Sequence, residues 1–267
     1  MKTSLRTVQP GSKVDLHKIC PDDAGEWNKE DAELQREALS ARLAVIQEVL
    51  YAESRRSFLV IFQAMDTGGK DGATKNLFRG ADPAGVDVIG FKAPTQIELR
   101  HDFLWRCHAV VPPRGLIGVW NRSHYEDVLI VRVRKWIDET TCEQRYHQIN
   151  NFEKMLHENG TTIVKIFLHI SKDEQKKRLQ ARLDTPEKHW KFNPADLAER
   201  TLWDDYQHAY EKALEATSTE YAPWHIVPAN KKWARDIAVA EKVVAALEEM
   251  KPEFPEPDFD PKAIIID

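Results

Sequence analysis

Runs of consecutive apolar residues recur along this chain, and each is short enough to be a strand in a buried sheet. The first, Ser57–Ala64, is followed at once by a glycine-bearing loop. A short apolar run without alternation is typical of a parallel strand that is buried on both faces. We predict further strands at 86–91, 116–120, 162–170 and 224–227, with helical-period stretches between them. The alternation predicts an α/β fold with a parallel five-stranded sheet flanked by helices.

The segment before the first strand predicts an amphipathic leader helix at 30–53. Its apolar residues stand at helical spacing: Leu34, Ala38, Leu39, Leu43, Ile46 and Leu50. The last residues, from Lys251 on, contain four prolines and several acids, which favours an extended surface tail. We therefore divide the chain into an N-terminal extension with the leader helix (1–55), a core (56–250) with a lid at about 176–200, and the proline-rich acidic tail (251–267).

Several helix starts carry a capping-box pattern, in which Ser or Thr precedes Glu by three residues. The pairs are Thr95/Glu98, Ser123/Glu126, Thr140/Glu143 and Ser171/Glu174. They support the same division of the chain into alternating strands and helices.

The composition is that of a soluble globular protein, with 42% hydrophobic and 30% charged residues. Thirty-eight Lys and Arg against 43 Asp and Glu give a net charge of -5, which favours neither nucleic acid nor an anionic membrane as a partner. There is no membrane-length apolar run and no secretory signal at the amino terminus, so we expect a cytoplasmic protein. The three cysteines are widely spaced and are expected to be packing thiols.

The strongest chemical signal is the glycine loop, residues 64–72, between the first strand and a helical stretch. Gly68 and Gly69 allow a tight turn in which backbone N–H groups near a helix start can point at phosphate oxygens. Lys70 adds a positive charge for the outer phosphates. The loop therefore predicts a phosphate-binding site.

Two positions of this loop depart from the pattern G-x-x-x-x-G-K-[ST]. Ala64 replaces the first glycine, and Asp71 replaces the hydroxyl residue that binds Mg²⁺. The alternative interpretation is a glycine turn with an exposed lysine.

Asp66 lies inside the same loop. A carboxylate beside bound phosphates repels them unless a divalent cation lies between, so Asp66 is predicted to be a metal or base residue. The alternative is an Asx-turn that stabilises the loop.

A second polar cluster follows the strand at 116–120. Ligands of open α/β sheets bind beyond the carboxyl ends of the strands, so this cluster and the glycine loop are expected to face one crevice. Arg122 suits bidentate phosphate binding, and Asn121 suits a phosphate oxygen or a metal-bound water. Glu126 has an alternative role as the capping residue of the next helix.

A third signal is a basic segment, 176–191, with six basic and two acidic residues. Arg178 and Arg182 lie four residues apart on one helical face, and Pro186 ends that helix. An excess of one sign suits a long polyanion, and the segment is predicted to be a lid. A solvated, charged helix face is the alternative.

Several separated motifs, in order, resemble the polyphosphate kinase 2 family. They are Gln63–Gly72, Asn121–Val128, Phe167–Gln175, Arg182–Lys191 and Ser218–Trp224. The resemblance runs from about Pro21 to Trp233, and Asn121-Arg-Ser with His-Tyr-Glu-Asp resembles the class III subgroup, which acts on AMP and ADP.

The resemblance implies a P-loop kinase fold similar to thymidylate kinase, with a helical lid and Mg²⁺ dependence. By position, it implies that Asp66 and Lys70 are the glycine-loop acid and lysine, Arg122 the arginine of the second motif, and Arg178 and Arg182 the basic residues of the lid. Many members have Asp at the position of Asn121. Because Asn carries no charge for a metal, Mg²⁺ is expected to depend more on Asp66, with Glu126 or Asp127 in an outer shell.

Together these observations predict one site with three kinds of residue. The predicted catalytic residues are Asp66, Lys70, Arg122 and Arg182, with Asp66 as the metal ligand. The predicted phosphate-binding residues are Gly68, Gly69, Lys70, Asp71, Gly72, Lys75, Arg178, Arg182, Lys188 and Lys191. The predicted nucleotide-binding residues are Asn121, Arg122, Glu126 and Asp127.

The function expected from this site is Mg²⁺-dependent, reversible transfer of the terminal phosphoryl group of inorganic polyphosphate to AMP, ADP or both. The expected partners are polyphosphate, AMP, ADP and ATP, together with further copies of the chain in a dimer or tetramer. An ATP-dependent nucleoside monophosphate kinase on the same architecture is one alternative. A non-catalytic polyphosphate-binding module is the other.

Overall fold

The computed structural model describes residues 2–266. Its strands are β1 (Arg6–Thr7), β2 (Ser57–Ala64), β3 (Val86–Gly90), β4 (Ile117–Asn121), β5 (Thr161–His169) and β6 (Trp224–Pro228). Its α-helices are α1 (Lys29–Glu53), α2 (Lys70–Leu77), α3 (Trp105–His108), α4 (Ile130–Val133), α5 (Glu139–Glu158), α6 (Lys172–Leu183), α7 (Ala195–Thr201), α8 (Trp203–Thr217) and α9 (Lys232–Met250). Within 2–266, none of the helices combines the length and the apolar character that crossing a bilayer requires.

The sheet has the strand order β1-β6-β5-β2-β4-β3. Strands β6, β5, β2, β4 and β3 are parallel, so the predicted parallel five-stranded sheet flanked by helices is confirmed. β2 lies between β5 and β4, and every one of its residues is buried, as its unbroken apolar run predicts. All five parallel strands present their carboxyl ends to the same edge of the sheet.

A sixth strand, β1, is missing from the predicted set. Arg6 and Thr7 pair antiparallel with Ile226 and His225 of β6 at the edge of the sheet. Both β1 residues are exposed, so no apolar pattern marks this short strand in the sequence.

The leader helix, α1, forms as predicted and packs against α9. Leu43 and Leu50 of α1 are completely buried in the core. Residues 253–266 of the tail are exposed. The tail contains one 3₁₀ turn, at Pro261–Ala263. Cys107 and Cys142 are buried, whereas Cys20 is exposed and is not a packing thiol.

The predictions made from the capping-box pattern are only partly correct. Ser171 caps α6 by accepting a hydrogen bond from the Glu174 N–H, as predicted. The prediction for Thr140 is wrong, because α5 begins earlier and Asp138 caps it by accepting from the Thr141 N–H. Asp and Thr are both good capping residues, and the pattern did not distinguish between the two.

A buried ion pair fixes the turn that follows β4. The Lys165 ammonium group of β5 donates to Glu153 Oε2 at 2.7 Å, to the Tyr125 hydroxyl at 2.9 Å and to the Thr217 carbonyl at 2.6 Å. Glu153 Oε1 also accepts from Tyr125 at 2.7 Å and contacts His124 Nε2 at 3.2 Å. A buried charge is tolerated when it is paired and hydrogen-bonded in this way. The cluster ties the segment after Arg122 to α5 and β5.

Candidate active site at the carboxyl edge of the sheet

A cavity of about 800 Å³ opens at the carboxyl edge of the sheet, between the strand ends and the segment that is predicted to be a lid. The segments that follow β2, β3, β4 and β6 all contribute to its wall. Nine basic and four acidic side chains line it, whereas the whole chain carries a net charge of -5. The cavity is therefore a local site for a large anion in an acidic protein.

The glycine loop forms the floor of this cavity. Gly69 has a φ of +102° and precedes the first residue of α2, Lys70, so the loop ends at a helix N-terminus. A Cβ on Gly68 would lie 2.4 Å from the Ala64 Cβ and 2.8 Å from the Met65 carbonyl oxygen. The loop therefore needs glycine at both positions. The Gly68 N–H donates to the Met65 carbonyl oxygen at 2.9 Å, and the N–H groups at the start of α2 suit phosphate oxygens.

We expect Gly69→Ala to lower the free energy of unfolding by about 1–2 kcal/mol, because a left-handed φ strains any residue with a Cβ. The new Cβ would also lie 2.2 Å from Arg235 Nη1. Urea denaturation of the wild type and the variant measures the change. The matched control is Gly80→Ala, since Gly80 has open space around it and lacks a left-handed φ. An equal loss of unfolding free energy in the two variants would show that the left-handed φ of Gly69 does not require glycine.

Lys70 points back over the loop that precedes it. Its ammonium group donates to the Ala64 carbonyl oxygen at 3.2 Å. Burial lowers the pKa of Lys70, the charge of Arg122 lowers it further, and Asp66 opposes both. The side chain is thus held among the charged groups of the cavity, where a phosphate would be its natural counterion.

Asp66 and Arg122 meet across the tips of β2 and β4. Arg122 Nη2 donates to Asp66 Oδ1 at 2.8 Å. Arg122 has a φ of +61°, as does Thr67 in the glycine loop. Two non-glycine residues in the left-handed region at one site indicate backbone strain of the kind that clusters at functional sites.

Asn121 links the same strand tip to the glycine-loop helix. Its Oδ1 accepts from the Thr74 hydroxyl at 3.2 Å, and its Nδ2 donates to Asp71 Oδ1 at 3.4 Å. Its side chain is therefore placed between β4 and α2, facing the cavity.

The segment that is predicted to be a lid comprises α6, a 3₁₀ turn at Pro186–Lys191 and α7. Arg182 donates to the Lys191 carbonyl oxygen at 2.9 Å and lies 3.8 Å from Asp196, so it organises the lid's own turn. The Lys191 ammonium group lies 4.0 Å from Asp71 of α2, which brings the lid over the glycine loop.

Arg178 has a different environment from the one predicted for a free phosphate-binding residue. Its guanidinium donates to Glu174, to the carbonyl oxygens of Thr67 and Gly68, and to those of Ala229 and Asn230. All of its nitrogens are engaged, so Arg178 clamps the glycine loop to the connection between β6 and α9. It still lines the cavity and adds positive charge there.

Most of the predicted site residues come together in this cavity. They are Asp66, Gly68, Gly69, Lys70, Asp71, Gly72, Asn121, Arg122, Arg178, Arg182, Lys188 and Lys191. Their roles remain predictions, but the common cavity that those roles require is present.

Three predicted residues do not line the larger cavity. Lys75 is on the exposed face of α2, outside the cavity wall. Glu126 lines an adjacent cavity of about 210 Å³, which shares Asp66 and Arg122 with the larger one. Asp127 lines a separate cavity, and its carboxylate faces Arg106 at 3.5 Å and Arg145 at 3.7 Å. Glu126 and Asp127 are adjacent in the 3₁₀ turn His124–Val128, so their side chains point in different directions.

Five charged residues of the cavity are absent from the predicted set: Lys92, Asp196, Lys232, Arg235 and Asp236. Lys92 comes shortly after β3, and Lys232 and Arg235 come shortly after β6. The rule that ligands bind beyond the carboxyl ends of parallel strands, applied to every strand, would have indicated these three. Asp196 lies in the lid, where no such rule applies.

The acidic groups of the cavity fit a metal that arrives with phosphate. Burial raises the pKa of Asp196, and the negative charge of Asp66 raises it further, so the two carboxylates repel each other. Within residues 2–266, no group of three or more His, Cys, Asp and Glu is placed to hold a metal by itself. One or two carboxylates plus substrate phosphates is the usual environment of protein-bound Mg²⁺.

Comparison with known proteins agrees with this geometry. A family model described as Polyphosphate kinase 2 matches residues 26–255. The AMP/ADP-polyphosphate phosphotransferase of Meiothermus ruber is 49% identical over 262 residues, which cover 97% of this chain and 98% of that protein. The ADP-polyphosphate phosphotransferase of Rhodopseudomonas palustris is 46% identical over 270 residues, which cover 96% of this chain and 93% of that protein. The crystal structure of polyphosphate kinase 2 from Arthrobacter aurescens TC1 superposes with a TM-score of 0.92 at 51% identity, over 95% of this chain and 92% of that one.

Proposed function

Because the chain belongs to the polyphosphate kinase 2 family, we propose that it transfers the terminal phosphoryl group of inorganic polyphosphate to AMP, ADP or both, reversibly. The observation that carries the proposal is the basic cavity over the glycine loop, with nine basic and four acidic side chains. Such a cavity is matched to a chain of phosphates, each with its own negative charge.

Phosphoryl transfer requires positioning and charge stabilisation more than covalent chemistry from the protein. Lys70 and Arg122 would bind the oxygens of the moving phosphoryl group from the floor of the cavity, and Arg182 from the lid. Arg178 would hold the loop in shape.

The cofactor that we propose is Mg²⁺, held through Asp66, with Asp196 as a second carboxylate at the same cavity. When bound, Mg²⁺ neutralises charge on the phosphate oxygens and so allows a carboxylate beside them. Arg122 would keep the Asp66 carboxylate oriented through their ion pair at 2.8 Å.

The acceptor nucleotide is proposed to enter from the smaller cavity. This cavity of about 210 Å³ joins the larger one at Asp66 and Arg122, and Tyr206 and Tyr210 form an aromatic part of its wall. Glu126 lines the same space. An aromatic wall suits a nucleobase, whereas the large cavity suits phosphates. Donor and acceptor would then meet at Asp66 and Arg122.

The test is incubation of the protein with polyphosphate, Mg²⁺ and AMP or ADP, followed by chromatography of the nucleotides. We expect ADP from AMP and ATP from ADP. If AMP is phosphorylated only when ATP is the donor, the chain is an ordinary nucleoside monophosphate kinase. If polyphosphate binds but no nucleotide product forms at several Mg²⁺ concentrations, the chain is a binding module.

We also propose that the chain acts in the cytoplasm as a homo-oligomer, a dimer or a tetramer. The apolar residues of the tail support the oligomer, since Phe254 is 62% exposed and Ile265 is 85% exposed. Large apolar side chains in a peripheral segment are stabilised by burial against another copy.

A further inference from the structure

The N-terminal turn of α9 has the wrong charge for an isolated helix. The backbone N–H groups at a helix start make that end positive, so acidic residues are favoured there and basic residues are not. α9 begins with Lys232, has Arg235 in its first turn, and carries no acid in that turn. Its N-cap residue is Lys231, which makes no side-chain cap. This turn therefore concentrates positive charge, and the first acid of the helix, Asp236, pairs with Arg235.

Arg235 is fixed within this turn and is only 2% exposed. Its Nε and Nη2 donate to Asp236 Oδ1 at 2.8 Å and 2.6 Å. Asp236 Oδ2 in turn accepts from Asn76 Nδ2 of α2 at 2.7 Å. The guanidinium is therefore held between α9 and the helix that follows the glycine loop.

The remaining nitrogen of Arg235, Nη1, makes no hydrogen bond to any part of the chain from 2 to 266. It lies over the glycine loop, because a Cβ on Gly69 would be only 2.2 Å from it. Arg235 also lines the large cavity. A buried arginine with a free donor at a cavity wall indicates that an acceptor belongs there.

A comparison of Arg235 with Arg178 shows which of the two arginines can donate to a ligand. Both side chains lie beside Gly69, but every nitrogen of Arg178 already donates to a carboxylate or a carbonyl oxygen. Arg235 keeps one donor free, and Lys232, an exposed neighbour in the same turn, lines the same cavity.

We propose that Lys232 and Arg235, with the N-terminal turn of α9, form a subsite for a phosphate group of the polyphosphate donor that is not itself transferred. The proposal rests on the proposed function and specifies a part of its site. The position favours the donor over the nucleotide, because neither residue lines the smaller cavity with the aromatic wall. The lid residue Lys188 lines the same large cavity and adds to the positive charge that faces the polymer.

The first experiment compares Lys232→Gln with Lys231→Gln in steady-state kinetics. Both changes remove one lysine from the start of α9, but Lys231 does not line the cavity. A contact to a phosphate that does not react contributes equally to ground state and transition state, so its loss raises KM and leaves kcat nearly unchanged. We expect Lys232→Gln to raise KM for polyphosphate about tenfold, the usual effect of one charge-assisted hydrogen bond. KM for AMP or ADP should stay at the wild-type value, and Lys231→Gln should behave as the wild type.

The second experiment measures the binding of inorganic tripolyphosphate by calorimetry, which does not depend on turnover. The dissociation constant should rise about tenfold in Lys232→Gln. It should rise by a similar factor in Arg235→Lys, because lysine keeps the positive charge but lacks the planar, multiple-donor guanidinium group. If Lys232→Gln matches Lys231→Gln in both experiments, or if it raises KM for the nucleotide instead, the subsite is refuted. A wild type that yields no nucleotide product from polyphosphate refutes the proposed function, while the tripolyphosphate measurement still decides the subsite.

Discussion

Replacing Lys70 with alanine is expected to lower turnover with polyphosphate by about a hundredfold or more, the usual cost of losing a donor to transition-state charge. Lys70 is the first residue of the helix that follows the glycine loop, and its ammonium group is held over that loop by the Ala64 carbonyl oxygen. Negative charge on the phosphoryl oxygens is redistributed in the transition state, and a fixed ammonium group stabilises it without reorganisation. Alanine removes the charge and leaves the loop backbone unchanged.

The control for Lys70→Ala is Lys75→Ala. Both residues belong to α2, but Lys75 is exposed and lies outside the cavity wall. Initial rates at saturating polyphosphate and ADP, with thermal denaturation to confirm folding, measure the two effects. We expect Lys75→Ala to retain nearly full turnover. Near-normal turnover in Lys70→Ala would refute its catalytic role, and equal losses in both variants would show that the cavity does not define the site.

The sheet could be predicted because burial on both faces leaves a strong mark on a sequence. Strand β2 agrees with its apolar run from Ser57 to Ala64 residue for residue. Strand β1 could not be found in this way, because Arg6 and Thr7 are exposed and are paired only through their backbones. Backbone pairing at a sheet edge makes no demand on side chains.

The candidate site could be predicted where it depends on local sequence. The glycine loop and Arg122 follow buried strands directly, and parallel topology then brings them to one edge. The environment of Arg178 depends on carbonyl groups of Thr67 and Ala229, which are far away in the sequence. No local pattern reports such partners. The same holds for Arg235, whose position over Gly69 exists only in the folded chain.

Asp66→Asn is expected to lower turnover by about a hundredfold or more, since the variant keeps the shape of the side chain but loses a charged metal ligand. The control is Asp87→Asn, at an exposed position on the edge strand β3. Initial rates measured over a range of Mg²⁺ concentrations give both kcat and the Mg²⁺ concentration at half-maximal rate. In Asp66→Asn that concentration should rise well above the wild-type value, and in Asp87→Asn it should not change.

The Mg²⁺ titration also separates the two roles that the structure gives to Asp66. Its carboxylate faces the phosphate cavity, and it also holds Arg122 through the ion pair at 2.8 Å. If Asp66 acts only through Arg122, then Asp66→Asn loses turnover at every Mg²⁺ concentration while the half-maximal concentration stays constant. That result would contradict the metal assignment. A shifted half-maximal concentration is the result expected if Mg²⁺ contacts the Asp66 carboxylate, directly or through water.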